Sequence, residues 1–168
     1  MNTMTSDPLI SISRRPIGQS DLDFLQRLYG TTRYDLVHSG LSKPEQDQFV
    51  AMQFQAQHIH YQNYFKTAVF DLISLDQQPI GRIYVDERSD EIRLIDIALL
   101  PEYRKLGIGG AMIRELMERS VATGLPLRLR VEKDNQALRL YQRLGFKAIA
   151  DEGVNLHLEW IPEEQEDG

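Results

Sequence analysis

The chain is expected to fold as a single α/β (α+β) domain, a mixed, mostly antiparallel sheet of six to seven strands flanked by helices. Three observations lead there. Short runs of branched apolar residues recur along the chain, some separated by hairpin-length turns. One of them, near 91–100, passes through a glycine-bearing turn into a helical pattern and then a further strand, a strand–helix–strand unit. The length, 168 residues with 42% hydrophobic, suits one ordinary packed core.

Taken in order, residues 9–15 alternate and read as a first strand. Ser20-Asp-Leu-Asp reads as a helix start with Ser20 as cap. Leu22, Leu25, Leu28 and Tyr29 follow at helical spacing until Gly30. A second helix is expected from about Lys43-Pro44-Glu45 to Tyr61, since proline is tolerated in a first turn. Its many glutamines, with His58 and His60, suit either a solvent face or one edge of an acceptor pocket. Strands are predicted over 67–75 and 79–86, with Asp76–Pro79 as the hairpin turn, and over 91–100. Helix 108–122 presents Ile108, Met112, Ile113, Leu116, Met117 and Val121 on one face and stops before Gly124. Strand 126–132, helix 135–144 with Gly145 as its stop, and strands 146–151 and 153–160 complete the pattern.

Composition excludes several classes. No run of about 18 apolar residues suggests a membrane span. The N-terminal residues lack the basic-then-apolar pattern of a secretory signal, and there is no cysteine, so a cytoplasmic location is expected. The missing cysteine also removes disulfides, thiolate metal sites and a cysteine acyl-enzyme. His58 and His60 stand at i, i+2 and do not share a helix face, so they form no helical metal pair and no metal is expected. The net charge of −6 belongs largely to Glu163, Glu164, Glu166 and Asp167, in a tail over 162–168 expected to fray. No basic cluster points to nucleic acid.

The most informative segment is Ile95–Ile113, an apolar strand, a turn and a helix holding Arg104-x-x-Gly107-x-Gly109 followed by Gly110. Glycines let a ligand approach the backbone, and the first N–H groups of a helix have no partner within it. Together with the helix dipole they make an anion site, so a phosphate or pyrophosphate is the expected ligand. The third glycine of a dinucleotide fingerprint and the Lys-Ser/Thr of a P-loop are both absent. What remains resembles the acyl-CoA pyrophosphate loop of the GNAT N-acetyltransferase superfamily, Arg/Gln-x-x-Gly-x-Gly/Ala. A second block supports the likeness. Residues 125–146 hold a strand, Asn135 at a turn, and Ala137-x-x-x-Tyr141-x-x-x-Gly145-Phe146. The resemblance is specific over about 80–160 and weaker over 9–79.

The resemblance implies a GNAT-like domain over 1–168, with acceptor-side elements in 9–79 and an acyl-CoA core in 80–160. It implies acetyl-CoA as cosubstrate and an amine acceptor of unknown identity, attacked directly in a ternary complex, by a monomer or homodimer. The alternatives are a CoA-binding regulatory module with weak turnover and a transferase of longer acyl groups. Backbone N–H groups over Lys105, Leu106, Gly107, Ile108, Gly109 and Gly110 would meet the pyrophosphate, with Arg104 and Lys105 adding charge. Ile97, Ala98 and Leu99 would lie beside the thioester carbonyl. Polarising that carbonyl through a backbone N–H requires a bulge or splayed edge near Ile97, because a ladder-paired strand has none free. Asn135 would meet the pantetheine arm, and it also suits a helix cap. Tyr141 would protonate the leaving thiolate.

The base is less distinct. Glu91, at the start of the fourth strand, is the preferred carboxylate, acting directly or through water. Asp96 interrupts an apolar strand and reads as structural, with Arg128 or Arg130 as its expected partner. Strict alternation puts Glu91 with Ile97 and Leu99 on one face and Asp96 on the other, unless a bulge intervenes. Tyr84 and Arg33 are further pocket candidates.

Overall fold

The first hairpin is set by Asp76 and Gln77, whose positive φ values of 50° and 70° give the mirror-image turn whose twist matches two antiparallel strands. Pro79 therefore lies inside a strand, paired with Ser74, and not in the turn. The structure is a computed structural model, and it describes residues 11–162. The predicted first strand is seen as β1, Ile12–Pro16; Leu9 and Ile10 and the acidic tail beyond Pro162 lie outside the described residues.

Helix α1 (Leu22–Gly30) follows a short 3-10 turn, and α2 (Lys43–Tyr64) is capped by Ser42, which exchanges hydrogen bonds with Glu45. Ser20 is not the cap expected for α1. It sits within the 3-10 turn, and the Asp21 carboxylate takes over the entry by accepting from the Gly18 N–H and pairing with Arg15. Strands β2 (Val69–Leu75), β3 (Gln78–Glu87) and β4 (Ile92–Leu99) lead to α3 (Ile108–Thr123). Then come β5 (Leu127–Glu132), α4 (Ala137–Arg143), β6 (Lys147–Asp151) and β7 (Asn155–Trp160). Glycines at positive φ close both helices, Gly124 after α3 and Gly145 after α4.

The seven strands form one sheet in the order β1-β2-β3-β4-β5-β7-β6, and only β4 and β5 run parallel. Helices cover both faces. On one, α3 and α4 pack Ile108, Met112, Ile113, Leu116 and Tyr141 onto Ile92, Leu94, Leu127 and Leu129. Val121, assigned to that apolar face by its spacing, is exposed. On the other, α1 and α2 pack Leu25, Leu28 and Phe54 onto Leu72, with Ala98 and Leu100 at the margin.

Two irregularities in β4 shape everything that follows. Tyr84 pairs with Asp96 but Val85 pairs with Leu94, so Ile95 is an extra, bulged residue. The parallel ladder to β5 covers only Ile92–Leu94, after which the two strands separate. The bulge shifts the alternation by one. Ile92 and Leu94 before it, and Ile97 and Leu99 after it, all join the α3 side. Arg93 and Asp96 consequently share the α1/α2 side with their partners Asp86 and Tyr84. Strict alternation, which set Glu91 and Asp96 on opposite faces, fails for that reason.

Candidate active site

The turn into α3 carries the anion-binding features. Arg104 is extended, Lys105 adopts φ 60° and Gly107 φ 87°, so the backbone reverses tightly and Gly107 becomes the helix cap. Nothing lies within 4 Å of where a Gly107 Cβ would be, and a Gly109 Cβ would meet only Leu99 Cδ1 at 4.0 Å. The surface over the helix end is therefore open. The first helical bond runs from the Ala111 N–H to the Gly107 carbonyl at 3.0 Å, leaving the N–H groups of Ile108, Gly109 and Gly110 without a helical acceptor. A pyrophosphate fits that donor set. Gly110 is buried, with Arg114 Nη1 3.2 Å and Leu140 Cδ1 3.9 Å from a Cβ, so its smallness serves packing. Leu106 and Lys105 are exposed beside the turn.

Arg104 has a role the motif did not reveal. Its Nε donates to the Leu99 carbonyl at 2.9 Å, and its guanidinium reaches the Tyr34 hydroxyl at 2.9 Å and Thr31 Oγ1 at 3.3 Å. It thereby fastens the turn into α3 to β4 and to the segment between α1 and α2. Arg33 is held by Asp35 and the Tyr29 hydroxyl within that same segment.

Ile97, Ala98 and Leu99 form the edge of β4 that faces the separation from β5. Tyr141 lines the α3/α4 side. It is buried and packs edge-on against Phe146 at 5.5 Å, and its hydroxyl has no hydrogen-bond partner among the described residues. Burial raises its pKa, and the charge of Asp96 raises it further, so it holds its proton and feels Asp96 across the opening. Asn135 Oδ1 accepts from the Ala137 N–H at 2.8 Å, so its capping role is realised.

The carboxylates are placed otherwise than expected. Glu91 is buried and held between Arg128, at 3.1 Å, and Arg88, at 3.5 Å. Arg128 also bonds Glu159 at 2.8 Å, and Arg130 pairs with Glu152 at 2.9 Å, so neither reaches Asp96. The partner of Asp96 is Arg82 on β3. Arg82 is nearly fully buried, donates to Gln57 Oε1 of α2 at 2.9 Å, and lies 4.8 Å over the Tyr84 ring. Asp96 keeps 23% of its side chain exposed. Among the described residues Tyr84 Oη and Arg82 Nε are buried without hydrogen-bond partners, and Tyr61 of α2 closes edge-on over Tyr84 at 5.9 Å. The sequence signal for Arg82 was present, a charge at an inward position of Ile80-Gly-Arg-Ile-Tyr84. It becomes readable only once β3 and β4 are paired. An open cleft of about 500 Å³ between β1, β2 and α2, lined by Gln19, Leu22, His58, Gln62 and Phe70, contains none of the residues assigned to the cosubstrate.

The family model of the acetyltransferase (GNAT) family matches residues 30–146. The chain belongs to the GNAT acetyltransferase family. The family implies acetyl transfer with acetyl-CoA as cosubstrate. The [ribosomal protein bS18]-alanine N-acetyltransferase of Haemophilus influenzae is 36% identical over 78 residues, 44% of this chain and 51% of that protein. The match thus spans about half the length of that relative. The fold is shared with the PaiA N-acetyltransferase of Thermoplasma acidophilum, solved with coenzyme A. That likeness has a TM-score of 0.67 and 20% identity, covering 90% of this chain and 99% of the other. Ard1 of Thermoplasma volcanium gives a TM-score of 0.60 at 17% identity, covering 90% and 97%. Among the described residues no helix is long and apolar enough to cross a membrane.

Proposed function

We propose that the protein transfers the acetyl group of acetyl-CoA to a primary amine by direct attack, and that the amine is the N-terminus of a peptide. One observation carries the chemistry. The β4–β5 ladder ends at Leu94, and near that end the N–H-rich turn of α3 and Tyr141 lie on one face of the sheet and Asp96 on the other, which supports a reaction centre between them. The bS18-alanine acetyltransferase likeness supports the choice of a peptide terminus.

The residues act as follows. The N–H groups of Ile108, Gly109 and Gly110 hold the pyrophosphate, aided by the dipole of α3. The β4 edge from Ile97 to Leu99, unpaired toward β5, offers backbone hydrogen bonds to the pantetheine arm and to the carbonyl that gains charge, worth on the order of 3 kcal/mol for one well-aimed donor. The cosubstrate supplies an activated acyl group on sulfur. Asp96, fixed by Arg82, turns its exposed edge to the incoming ammonium and carries its proton away. Tyr141, kept protonated by burial, gives its proton to the departing sulfur. With no cysteine in the chain, a cysteine acyl-enzyme is excluded.

Thiol release from acetyl-CoA tests the reading. A peptide beginning in alanine should support release, and the same peptide with a blocked N-terminus should not. Intersecting initial-rate lines are expected for a ternary complex. Parallel lines, or equal rates with the blocked peptide, would remove it.

A further inference from the structure

Among the described residues Arg93 is a cation without an ion-pair partner, on a face where its neighbours are paired. It lies on β4 three residues before Asp96 and on the same side of the sheet. Arg88, Arg128 and Arg130 each have a carboxylate partner. Among the described residues Arg93 has none within 4.0 Å, and its Nε is buried without an acceptor. Its recorded contact is the face of Phe65, 5.9 Å from the ring centre. Burial, and then the charge of Arg130, lowers its pKa. One strand beyond β5, on β7, stands His157, paired in register with Arg130, and among the described residues its Nε2 is likewise buried without a partner. Burial and the charges of Arg130 and Arg93 lower the His157 pKa, which keeps the ring neutral and able to donate. An unpaired charge partly withdrawn from water, near an orphaned nitrogen, is costly unless something fills the place.

An anion would satisfy both groups. Glu91, Glu152 and Glu159 close by already neutralise the other arginines, so the place suits a single negative charge and repels a multiply charged phosphate. Because Ile95 bulges, Arg93 and Asp96 stand opposite Asp86 and Tyr84, two residues apart on β3, or roughly 7 Å. An α-amino acid carries its ammonium and carboxylate on one carbon and cannot reach both. An extended peptide advances roughly 3.3 Å per residue. With its N-terminus at Asp96, it brings the side chain of its second or third residue to Arg93.

We propose that Arg93, with His157 and Arg130 near it, binds an acidic side chain of the acceptor, so that the preferred substrates are peptides with Asp or Glu at the second or third position. This rests on the peptide-amine reading above.

The test compares pairs of alanine-initiated hexapeptides that differ only in Glu or Gln at position two or three, assayed by thiol release at saturating acetyl-CoA. The wild-type kcat/KM is expected to favour one Glu peptide by about tenfold, the size of a charge-assisted hydrogen bond. Arg93→Gln should bring that ratio to about one through KM rather than kcat, and Arg93→Lys should keep most of it. Equal kcat/KM for wild type on every pair, or a preference that survives Arg93→Gln, overturns the inference while leaving the amine reading intact. Failure of all the peptides, with a non-peptide amine accepted, overturns both. Should Arg93→Gln not fold, the wild-type comparison together with Arg93→Lys decides.

Discussion

Asp96 and Glu91 are carboxylates on one side of β4, and their surroundings give them different work. Glu91 is buried between two arginines, and losing its charge leaves Arg128 and Arg88 with less to face. Glu91→Gln is expected to lower stability by about 1–3 kcal/mol and to leave most of the turnover. Asp96 presents an open edge, so Asp96→Asn should raise the KM for the amine and cut kcat/KM by roughly 10- to 1,000-fold with CoA affinity kept. Denaturant melts and steady-state kinetics on the two variants check this; a folded Glu91→Gln without turnover beside an active Asp96→Asn would reverse the assignment. Tyr141→Phe removes only a hydroxyl that bonds to no described residue, so packing survives. A thiolate with a pKa of about 8.5 leaves without a donor to some degree, so the loss should be partial, about 10- to 1,000-fold in kcat. An unchanged kcat, with chemistry shown to be rate-limiting, would return Tyr141 to the core.

At the scale of elements, the bulge at Ile95 decides which side chains meet. Most of the elements were legible in the sequence because their signals are local: the glycine stops after α3 and α4, the apolar spacing of α3, the proline in the first turn of α2. The order of blocks around Arg104 and Tyr141 was legible for the same reason. The bulge was not, since an extra residue in β4 is defined only against β3, and with it went the faces of Glu91 and Asp96 and the pairing of Asp96 with Arg82. The tie of Arg104 to Tyr34 was not legible because it spans 70 positions. Gly81 shows how tightly this region is built. A Cβ there would collide with the Ala98 carbonyl oxygen and sit 2.7 Å from Leu99 Cδ2. Gly81→Ala is expected to destabilise by about 1–3 kcal/mol and to disturb the acyl end of the site. A melting temperature equal to wild type would show that β4 yields there freely.

Over the whole molecule, the titrating groups predict an acid-sensitive fold. Burial, as the largest cause, lowers the pKa of both His58 and His157 from the ordinary 6.5, and nearby arginine charge adds to it. A base whose folded pKa lies below its unfolded value binds protons more readily when unfolded. Its stabilising effect is complete above about pH 6.5 and is lost as pH falls below that value toward the folded pKa. The melting temperature should therefore decline between neutral pH and mildly acidic pH, and His58→Gln with His157→Gln should flatten that decline. Asp21, lowered chiefly by its bonds to Arg15, adds a second loss further into acid. The most direct test of the account is calorimetric titration of CoA into wild type and Gly109→Asp. Gly109 has room for a side chain, so the variant should fold, yet a carboxylate would stand where the pyrophosphate meets the end of α3. The account predicts binding to wild type and a loss of at least about 100-fold in the folded variant. Equal affinity would contradict it.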